Sequence, residues 1–145
     1  MTAELPGTLY LIDTSAAARM VKNPQVQTTI ESLIDDGVAA TCITLDLEAG
    51  FTGQNPADVA HILNSRRAHL IQLRITAGIE DRAREVMTLM AARRLHRAAG
   101  VFDLLTAAIA EHHRAITLHY DADFEHIASV TGQRHQWVAP RGSID

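Results

Sequence analysis

The chain has 145 residues, of which 47% are hydrophobic, and it carries a formal net charge of −4. This length predicts one domain, and the single cysteine, Cys42, excludes a disulfide framework and a cysteine-rich zinc site and favours a reducing cytoplasm. No run approaches the roughly 18 consecutive apolar residues that a membrane span requires, and the first residues include no basic segment, so neither a membrane protein nor a secreted one is expected.

The negative net charge argues against a protein that coats nucleic acid through a uniformly basic surface. The charges are nevertheless unevenly distributed. Residues 66–97 contain eight of the 13 basic residues and only three acidic ones, a local net charge of +5, which leaves −9 for the rest of the chain. Such arginines either keep the outer face of amphipathic helices solvated or form a patch that attracts phosphate groups.

Short apolar runs alternate with longer amphipathic segments, a pattern typical of a parallel sheet covered by helices. The predicted strands are residues 8–12, 38–43, 70–73, 115–118 and 136–138. The predicted helices are residues 16–21, 25–36, 44–50, 55–65, 76–99, 102–114 and 123–130. Thr44 is expected to cap the third helix, and Gly100 is expected to end the fifth. We therefore predict one α/β domain over residues 1–145.

Acidic residues stand at four junctions of this pattern. Asp13 ends the first strand, Glu48 lies one turn into the helix after the second strand, Asp103 opens a strongly apolar helix, and Asp121 follows the fourth strand. Since parallel sheets bind ligands at the carboxyl ends of their strands, Asp13, Glu48 and Asp121 should share one edge. Carboxylates gathered in one cleft repel each other unless a divalent cation neutralises them. Mg²⁺ or Mn²⁺ suits such oxygen ligands and phosphate substrates.

Several of these acids also have a purely structural interpretation. Asp13 can cap the helix that follows it, and Asp121 and Asp123 can form a turn and a cap. Asp46 complements the dipole of its helix, and we interpret it as structural. Asp103 is different, because an uncompensated carboxylate beside so apolar a helix would be costly unless it faced a cleft or a metal.

Other chemically notable residues are interpreted as structural. No pair of histidines has the spacing of a zinc site, and His119 is expected to pack at the end of a strand. Cys42 is expected to be a small buried hydrophobic residue. Trp137 is expected to pack on an edge strand, and Phe124 and Ile127 are expected in the core.

Four segments of the chain carry a resemblance to a known family. They are residues 11–16 (LIDTSA), 45–48 (LDLE), 101–110 (VFDLLTAAIA) and 119–128 (HYDADFEHIA). In this order and spacing they resemble the PIN-domain nucleases, and in particular the VapC toxins of prokaryotic toxin–antitoxin pairs. The resemblance implies a PIN-like three-layer α/β/α domain with a central parallel sheet of four to five strands.

The resemblance also implies an activity and a set of site residues. The activity is a Mg²⁺- or Mn²⁺-dependent endoribonuclease that cleaves structured RNA, such as tRNA or rRNA, with metal-activated water. The implied catalytic residues are Asp13, Glu48, Asp103 and Asp121. The implied metal ligands are Asp13, Asp103, Asp121 and Asp123. Thr14 or Ser15, beside the first acid, would support a metal-bound water or cap the helix.

The implied partners are a VapB-type antitoxin, an RNA substrate and a second copy of the chain in a homodimer. The antitoxin is expected to supply a cation to the acidic cleft and an apolar helix to a groove built from the early helices. Arg93, Arg94 and Arg97 are the candidates for RNA binding. Because only 4% of the residues are aromatic, base stacking is expected to be scarce, so recognition should depend on folded RNA shape.

Alternative functions remain at this point. The chain could be a catalytically weak PIN-like binding module that acts in a repressor complex of antitoxin and DNA, although the presence of all four acids disfavours this. A phosphatase of the Asp-x-Asp type would need an acid in place of Ser15. A Toprim site would need glutamate in place of Asp13.

Overall fold

A five-stranded parallel sheet lies at the centre of the protein in the computed structural model, which describes residues 7–145. The strands are β1 (Tyr10–Ile12), β2 (Ala39–Cys42), β3 (Ile71–Leu73), β4 (Ile116–His119) and β5 (His135–Trp137). Their order across the sheet is β3-β2-β1-β4-β5. The predicted parallel sheet is therefore confirmed, and β1, β2 and β4, which lead into the acidic segments, lie side by side.

Seven helices are described around this sheet. They are α1 (Thr14–Ala17), α2 (Pro24–Asp35), α3 (Ile43–Phe51), α4 (Pro56–His69), α5 (Ala77–Ala92), α6 (Val101–His112) and α7 (Asp123–Thr131). The first predicted helix divides into α1 and a 3-10 turn at Ala18–Met20, and α4 continues beyond residue 65. Within residues 7–145, no helix is both long and apolar enough to cross a lipid bilayer.

Helices cover both faces of the sheet because successive side chains of a strand point to opposite faces. Leu11 of β1 packs with Leu45 of α3 and Ile109 of α6. Its neighbour Ile12 packs instead with Val26 of α2. All four residues of β2 and all four of β4 are buried, as central strands of a parallel sheet require. The three-layer α/β/α architecture is thereby confirmed.

Helix α5 ends earlier than its sequence pattern predicts, at Ala92 rather than just before Gly100. Arg94 adopts a left-handed conformation with φ 58°, and the N–H of Leu95 donates to the carbonyl of Met90 at 2.7 Å. This is a Schellman termination, in which glycine usually occupies the left-handed position. Because arginine occupies it here, the sequence carries no stop signal. Gly100 stands instead at the N-cap position of α6.

The expectation that Thr44 caps α3 is also wrong. Strand β2 runs directly into α3, so that Cys42 takes the N-cap position and makes no side-chain cap hydrogen bond. Thr44 is buried in the first turn, where its Oγ1 lies 2.6 Å from Oγ1 of Thr106. The two hydroxyls satisfy each other and join α3 to α6.

Candidate functional site

Five acidic side chains gather at the carboxyl edge of the sheet. Asp13 directly follows β1, Glu48 lies in α3 after β2, and Asp121 follows β4. Asp103, in the first turn of α6, and Asp123, the first residue of α7, join them. The charges of Asp13, Asp121 and Asp123 all act on Asp103, and those of Glu48 and Asp121 act on Asp13. The acids predicted from separate segments are therefore brought together.

Asp13 uses its two carboxylate oxygens differently. It is only 3% exposed, and its Oδ2 caps α1 by accepting from the N–H of Ser15 at 2.9 Å and from its hydroxyl at 2.6 Å. Its Oδ1 is buried and has no hydrogen-bond partner among residues 7–145. Burial raises the pKa of Asp13, against the two bonds from Ser15. One oxygen thus has a structural role, and the other is a buried acceptor that a cation would satisfy.

The two hydroxyl residues after Asp13 have separate partners. Ser15 donates to Asp13 and accepts from the N–H of Tyr120 at 2.8 Å, which ties the end of β1 to the segment after β4. Thr14 donates from Oγ1 to Oε1 of Glu48 at 3.2 Å. Ser15 therefore fixes Asp13, whereas Thr14 fixes Glu48.

Asp103, Asp121 and Asp123 form the tightest part of the site. Each offers a carboxylate oxygen, and these three atoms lie within 4.8 Å of one another. Asp121 Oδ1 accepts from the N–H of Asp123 at 2.9 Å, and Asp123 Oδ2 accepts from the N–H of Gly100 at 3.0 Å. One of these backbone donors lies in the same segment as the carboxylate it holds, and the other lies in the connection from α5 to α6.

Burial raises the pKa of Asp103 to about 8, helped by a hydrogen bond to Asp123 and by the charges of Asp13, Asp121 and Asp123. Without a cation, the Asp103 carboxyl therefore keeps its proton at neutral pH. An all-oxygen donor set of this kind matches a hard divalent cation such as Mg²⁺ or Mn²⁺. The three clustered carboxylates fit such an ion. Asp13 lies outside this closest group but acts on Asp103 through its charge, and its buried Oδ1 has no hydrogen-bond partner within the described residues.

Asp46 stands apart from this cluster in its contacts. Its Oδ1 accepts from Oγ1 of Thr41 and from Nε of Arg66, both at 2.8 Å. Arg66 also donates to Thr41 at 2.7 Å, which closes a triangle between β2, α3 and α4. The interpretation of Asp46 as structural is confirmed.

Three of the eight arginines of residues 66–97 form ion pairs, and three others are exposed in the connection that follows α5. Ion pairs join Arg66 to Asp46, Arg82 to Glu85 and Glu111, and Arg84 to Glu80 and Asp81. Exposed arginines in the connection from α5 to α6 are Arg93, Arg94 and Arg97. This connection ends at Gly100, whose N–H is bonded to Asp123. The three candidates for RNA binding therefore lie on a segment that is anchored to the acidic cluster.

An apolar cleft, whose exposed phenylalanines the sequence did not indicate, lies beside Glu48. It has a volume of about 510 Å³ and is lined by Thr14, Leu47, Glu48, Phe51 and Phe102. Phe51 is 90% exposed and Phe102 is 47% exposed. Apolar residues at helical spacing are expected to face a core, so only their three-dimensional placement reveals that these two phenylalanines face solvent.

The remaining expectations on structural residues are confirmed. His119, at the end of β4, and Cys42 are completely buried, and burial raises the pKa of the Cys42 thiol. Trp137 on edge strand β5 donates from Nε1 to Glu125 at 2.8 Å. Phe124 and Ile127 lie in a core shared by α5, α6 and α7.

Comparisons with known proteins agree with this architecture. A family model described as PIN domain matches residues 10–130. The chain is 39% identical over 136 residues to ribonuclease VapC51 of Mycobacterium tuberculosis, which covers 94% of this chain and 97% of that protein. It is 36% identical over 136 residues to ribonuclease VapC21 of the same species, which covers 94% of this chain and 98% of that protein.

Solved structures show the same fold at lower sequence identity. The crystal structure of VapBC2 from Rickettsia felis bound to a promoter DNA fragment is similar with a TM-score of 0.72 and 15% identity, over 89% of this chain and 98% of that one. DNA-bound VapBC from Salmonella typhimurium is similar with a TM-score of 0.72 and 13% identity, over 91% of this chain and 99% of that chain. At these identities, the likeness concerns the fold.

Proposed function

The chain belongs to the PIN-domain family, and within it to the proteins named ribonuclease VapC, and we propose that it is an endoribonuclease and the toxin of a type II toxin–antitoxin pair. One observation carries the proposal. Five carboxylates from four segments of the chain converge on one edge of the sheet, and the buried Oδ1 of Asp13 among them has no hydrogen-bond partner within residues 7–145. Structural stability alone does not account for such a concentration of like charge.

The proposed cofactor is Mg²⁺ or Mn²⁺, and its proposed ligands are Asp13, Asp103, Asp121 and Asp123. A bound divalent ion would polarise the scissile phosphodiester and make water a stronger nucleophile at neutral pH. The clustered oxygens of Asp103, Asp121 and Asp123 support the assignment. Asp103 has to release its proton when the ion binds, because its pKa of about 8 reflects a site without a cation.

Glu48 has the proposed role of orienting and deprotonating the attacking water. Thr14 engages its Oε1, which fixes the carboxylate and leaves Oε2 to accept a proton. Ser15 keeps Asp13 in position from the other side. The water attacks phosphorus in line with the leaving oxygen, so that hydrolysis requires no covalent intermediate with the protein.

The proposed partners are a VapB-type antitoxin and a second copy of the chain. The exposed phenylalanines Phe51 and Phe102, beside Glu48, support an apolar antitoxin segment that covers the acidic site. A folded RNA such as tRNA or rRNA is the proposed substrate. One PIN domain over residues 1–145 and a cytoplasmic location stay predictions.

Incubation of the purified protein with folded RNA tests this function directly. We expect cleavage with Mg²⁺ or Mn²⁺, none in excess EDTA, and inhibition by the co-expressed antitoxin. Cleavage that continues undiminished in EDTA would contradict the metal dependence. If the chain is instead a PIN-like binding module, calorimetry should detect no Mn²⁺ binding that depends on Asp13 or Asp121.

The exposed arginines of residues 93–100 provide a separate prediction. Arg94→Gly should weaken RNA binding and lower the slope of log affinity against log salt by about 1, the value for one phosphate contact. The same change should not destabilise the protein, because glycine adopts the left-handed conformation of residue 94 without steric cost. Fluorescence anisotropy at several salt concentrations, in the inactive Asp13→Asn background, measures both quantities.

Arg84→Ala is the matched control for this prediction. It removes the same charge from the same arginine-rich region, but Arg84 is paired with Asp81 at 3.4 Å on the outside of α5. We expect little change in RNA affinity. Equal losses in the two variants would show that net charge, rather than the connection from α5 to α6, determines binding.

A further inference from the structure

His119 lies next to the acidic site, and the roles described above do not use it. It ends β4, is completely buried, and stands two residues before Asp121. Both of its ring nitrogens are engaged: the N–H of Asp121 donates to Nδ1 at 3.1 Å, and Nε2 lies 2.8 Å from Nδ1 of His135. A completely buried imidazole requires partners for both nitrogens, and one of those partners here is the backbone of the site residue Asp121.

The backbone donor fixes the protonation pattern of both rings. Because the N–H of Asp121 can only donate, Nδ1 of His119 carries no proton, and the proton of the neutral ring lies on Nε2. Nε2 therefore donates to Nδ1 of His135, which must also be unprotonated. The hydrogen bonds run in one direction, from Asp121 to His119 and from His119 to His135.

Packing prevents the His119 ring from turning away from this arrangement. Its centroid lies 5.0 Å from that of Phe124 and 4.9 Å from that of Trp137. The backbone carbonyl of His119 accepts from the N–H of Val138 at 2.8 Å, which holds the strand end as well. The acceptor that His119 offers to Asp121 is thus fixed in direction.

Two consecutive backbone N–H groups of the segment that carries Asp121 are held by side chains, one distant in the sequence and one local. The N–H of Tyr120 donates to Ser15, and the N–H of Asp121 donates to His119. We propose that His119 is a positioning residue that sets the direction in which Asp121 presents its carboxylate, and that His135 selects the required tautomer of His119. The proposal rests on the proposed function, since it assigns Asp121 to the metal site.

Two substitutions of similar polarity distinguish a positioning role of His119 from a packing role. In His119→Asn, the side-chain oxygen can replace Nδ1 as the acceptor for Asp121 but cannot reach His135. In His119→Gln, the longer amide can replace Nε2 but leaves the N–H of Asp121 without its acceptor. Both variants lose the ring contacts with Phe124 and Trp137, so a lower Tm is expected in each.

The readouts are Mn²⁺ affinity by calorimetry, without RNA, and kcat and KM for RNA cleavage. We expect His119→Gln to lose about tenfold or more in Mn²⁺ affinity and kcat, the usual effect of removing a residue that orients a metal ligand, with KM little changed. His119→Asn should lose less than about threefold. The proposal would be overturned if the two variants lost Mn²⁺ affinity and kcat equally, or if these losses were proportional to the decrease in Tm.

A second pair of variants keeps the test valid if the first pair fails to fold. His135 is only half-buried on edge strand β5. His135→Asn retains an acceptor near the position of Nδ1, whereas His135→Leu, of nearly the same size, removes it. We expect weaker Mn²⁺ binding in the leucine variant only, and equal binding in both would contradict the role of His135.

The tautomer is also measurable directly. In the unmodified protein at pH 7, nitrogen NMR should show His119 protonated at Nε2 and not at Nδ1, and a proton at Nδ1 would overturn the proposal. A failure of the proposed function can be distinguished from a failure of the positioning role of His119. If the protein does not cleave RNA, the NMR and Mn²⁺ measurements still test the positioning of Asp121, whereas RNA cleavage that needs no divalent ion contradicts the proposed function itself.

Discussion

Asp13→Asn is expected to abolish RNA cleavage, with a fall in kcat of about 10²- to 10³-fold or more, as for other preorganised electrostatic groups. The substitution replaces a carboxylate with a neutral amide at a position where one buried oxygen has no hydrogen-bond partner in the described part of the chain. The proposed metal ion would lose a charged ligand. Cleavage of folded RNA under saturating Mn²⁺ measures the effect, and cellular toxicity should disappear in parallel.

The same substitution should leave the fold intact. Asparagine caps helices as well as aspartate does, so its side-chain oxygen can accept the two hydrogen bonds from Ser15. A desolvated charge is removed at the same time, because burial raises the pKa of Asp13. The free energy of unfolding without metal should therefore be unchanged or higher.

Asp46→Asn is the matched control. It makes the identical chemical change in the first turn of α3, but Asp46 is bonded to Arg66 and Thr41. We expect a loss of about 1–3 kcal/mol in stability, as for a hydrogen bond to a charged group, and unchanged cleavage below the Tm. Cleavage by Asp13→Asn at a rate near that of the unmodified protein would contradict the assignment of the site.

The convergence of the acids could be predicted from the sequence because parallel topology is a strong constraint. Once residues 8–12, 38–43 and 115–118 are recognised as parallel strands, their carboxyl ends must meet at one edge. Asp13 and Asp121 then become neighbours, although they are far apart in the chain. Asp103 lies on a helix and has no such constraint, so only the cost of burying its carboxylate pointed to a cleft or a metal. The resemblance to PIN domains added Asp123 as a ligand.

The details that sequence reasoning missed depend on individual contacts. Asp13 is both a helix cap and a candidate ligand, because its two oxygens face different surroundings. Arg94 ends a helix in a conformation that usually indicates glycine. His119 was correctly expected to pack, but its link to His135 joins two strands, and no spacing along the chain indicates that link. Patterns of neighbouring residues in the sequence do not indicate contacts between side chains that are brought together only by the fold.

Asp103→Asn is expected to stabilise the metal-free protein at pH 8 while it abolishes Mn²⁺ binding and cleavage. In the folded state the pKa of Asp103 is raised to about 8, first by burial and then by Asp123 and the neighbouring negative charges, from an ordinary value of 3.8. Between these pH values, the folded protein holds a proton that the unfolded chain releases. Stability therefore falls as pH rises through this interval.

His119 contributes in the opposite direction over part of the same interval. Burial and the neighbouring His135 lower its pKa from 6.5 to about 4, so that the unfolded chain binds the extra proton below pH 6.5 and stability rises with pH there. The two effects offset each other at acid pH. The decline due to Asp103 should therefore be visible between about pH 6.5 and 8.

Urea unfolding in EDTA at pH 5, 6.5 and 8 measures this difference. Asp103→Asn should remove most of the decline above pH 6.5 and gain about 1–2 kcal/mol at pH 8, a modest value because solvent screens the half-buried group. In the unmodified protein, Mn²⁺ should release a proton on binding and bind more tightly as pH rises, since the ion replaces the proton of Asp103.

Asp81→Asn provides the control for this experiment, because it neutralises a carboxylate that is 82% exposed on α5. Its stability should follow that of the unmodified protein at all three pH values. If Asp103→Asn shows the same decline as the unmodified protein, or is less stable at pH 8, Asp103 does not hold a proton in the metal-free site. Another group would then have to hold the proton that neutralises the acidic cluster. The prediction that a metal ion replaces a proton at Asp103 would be wrong.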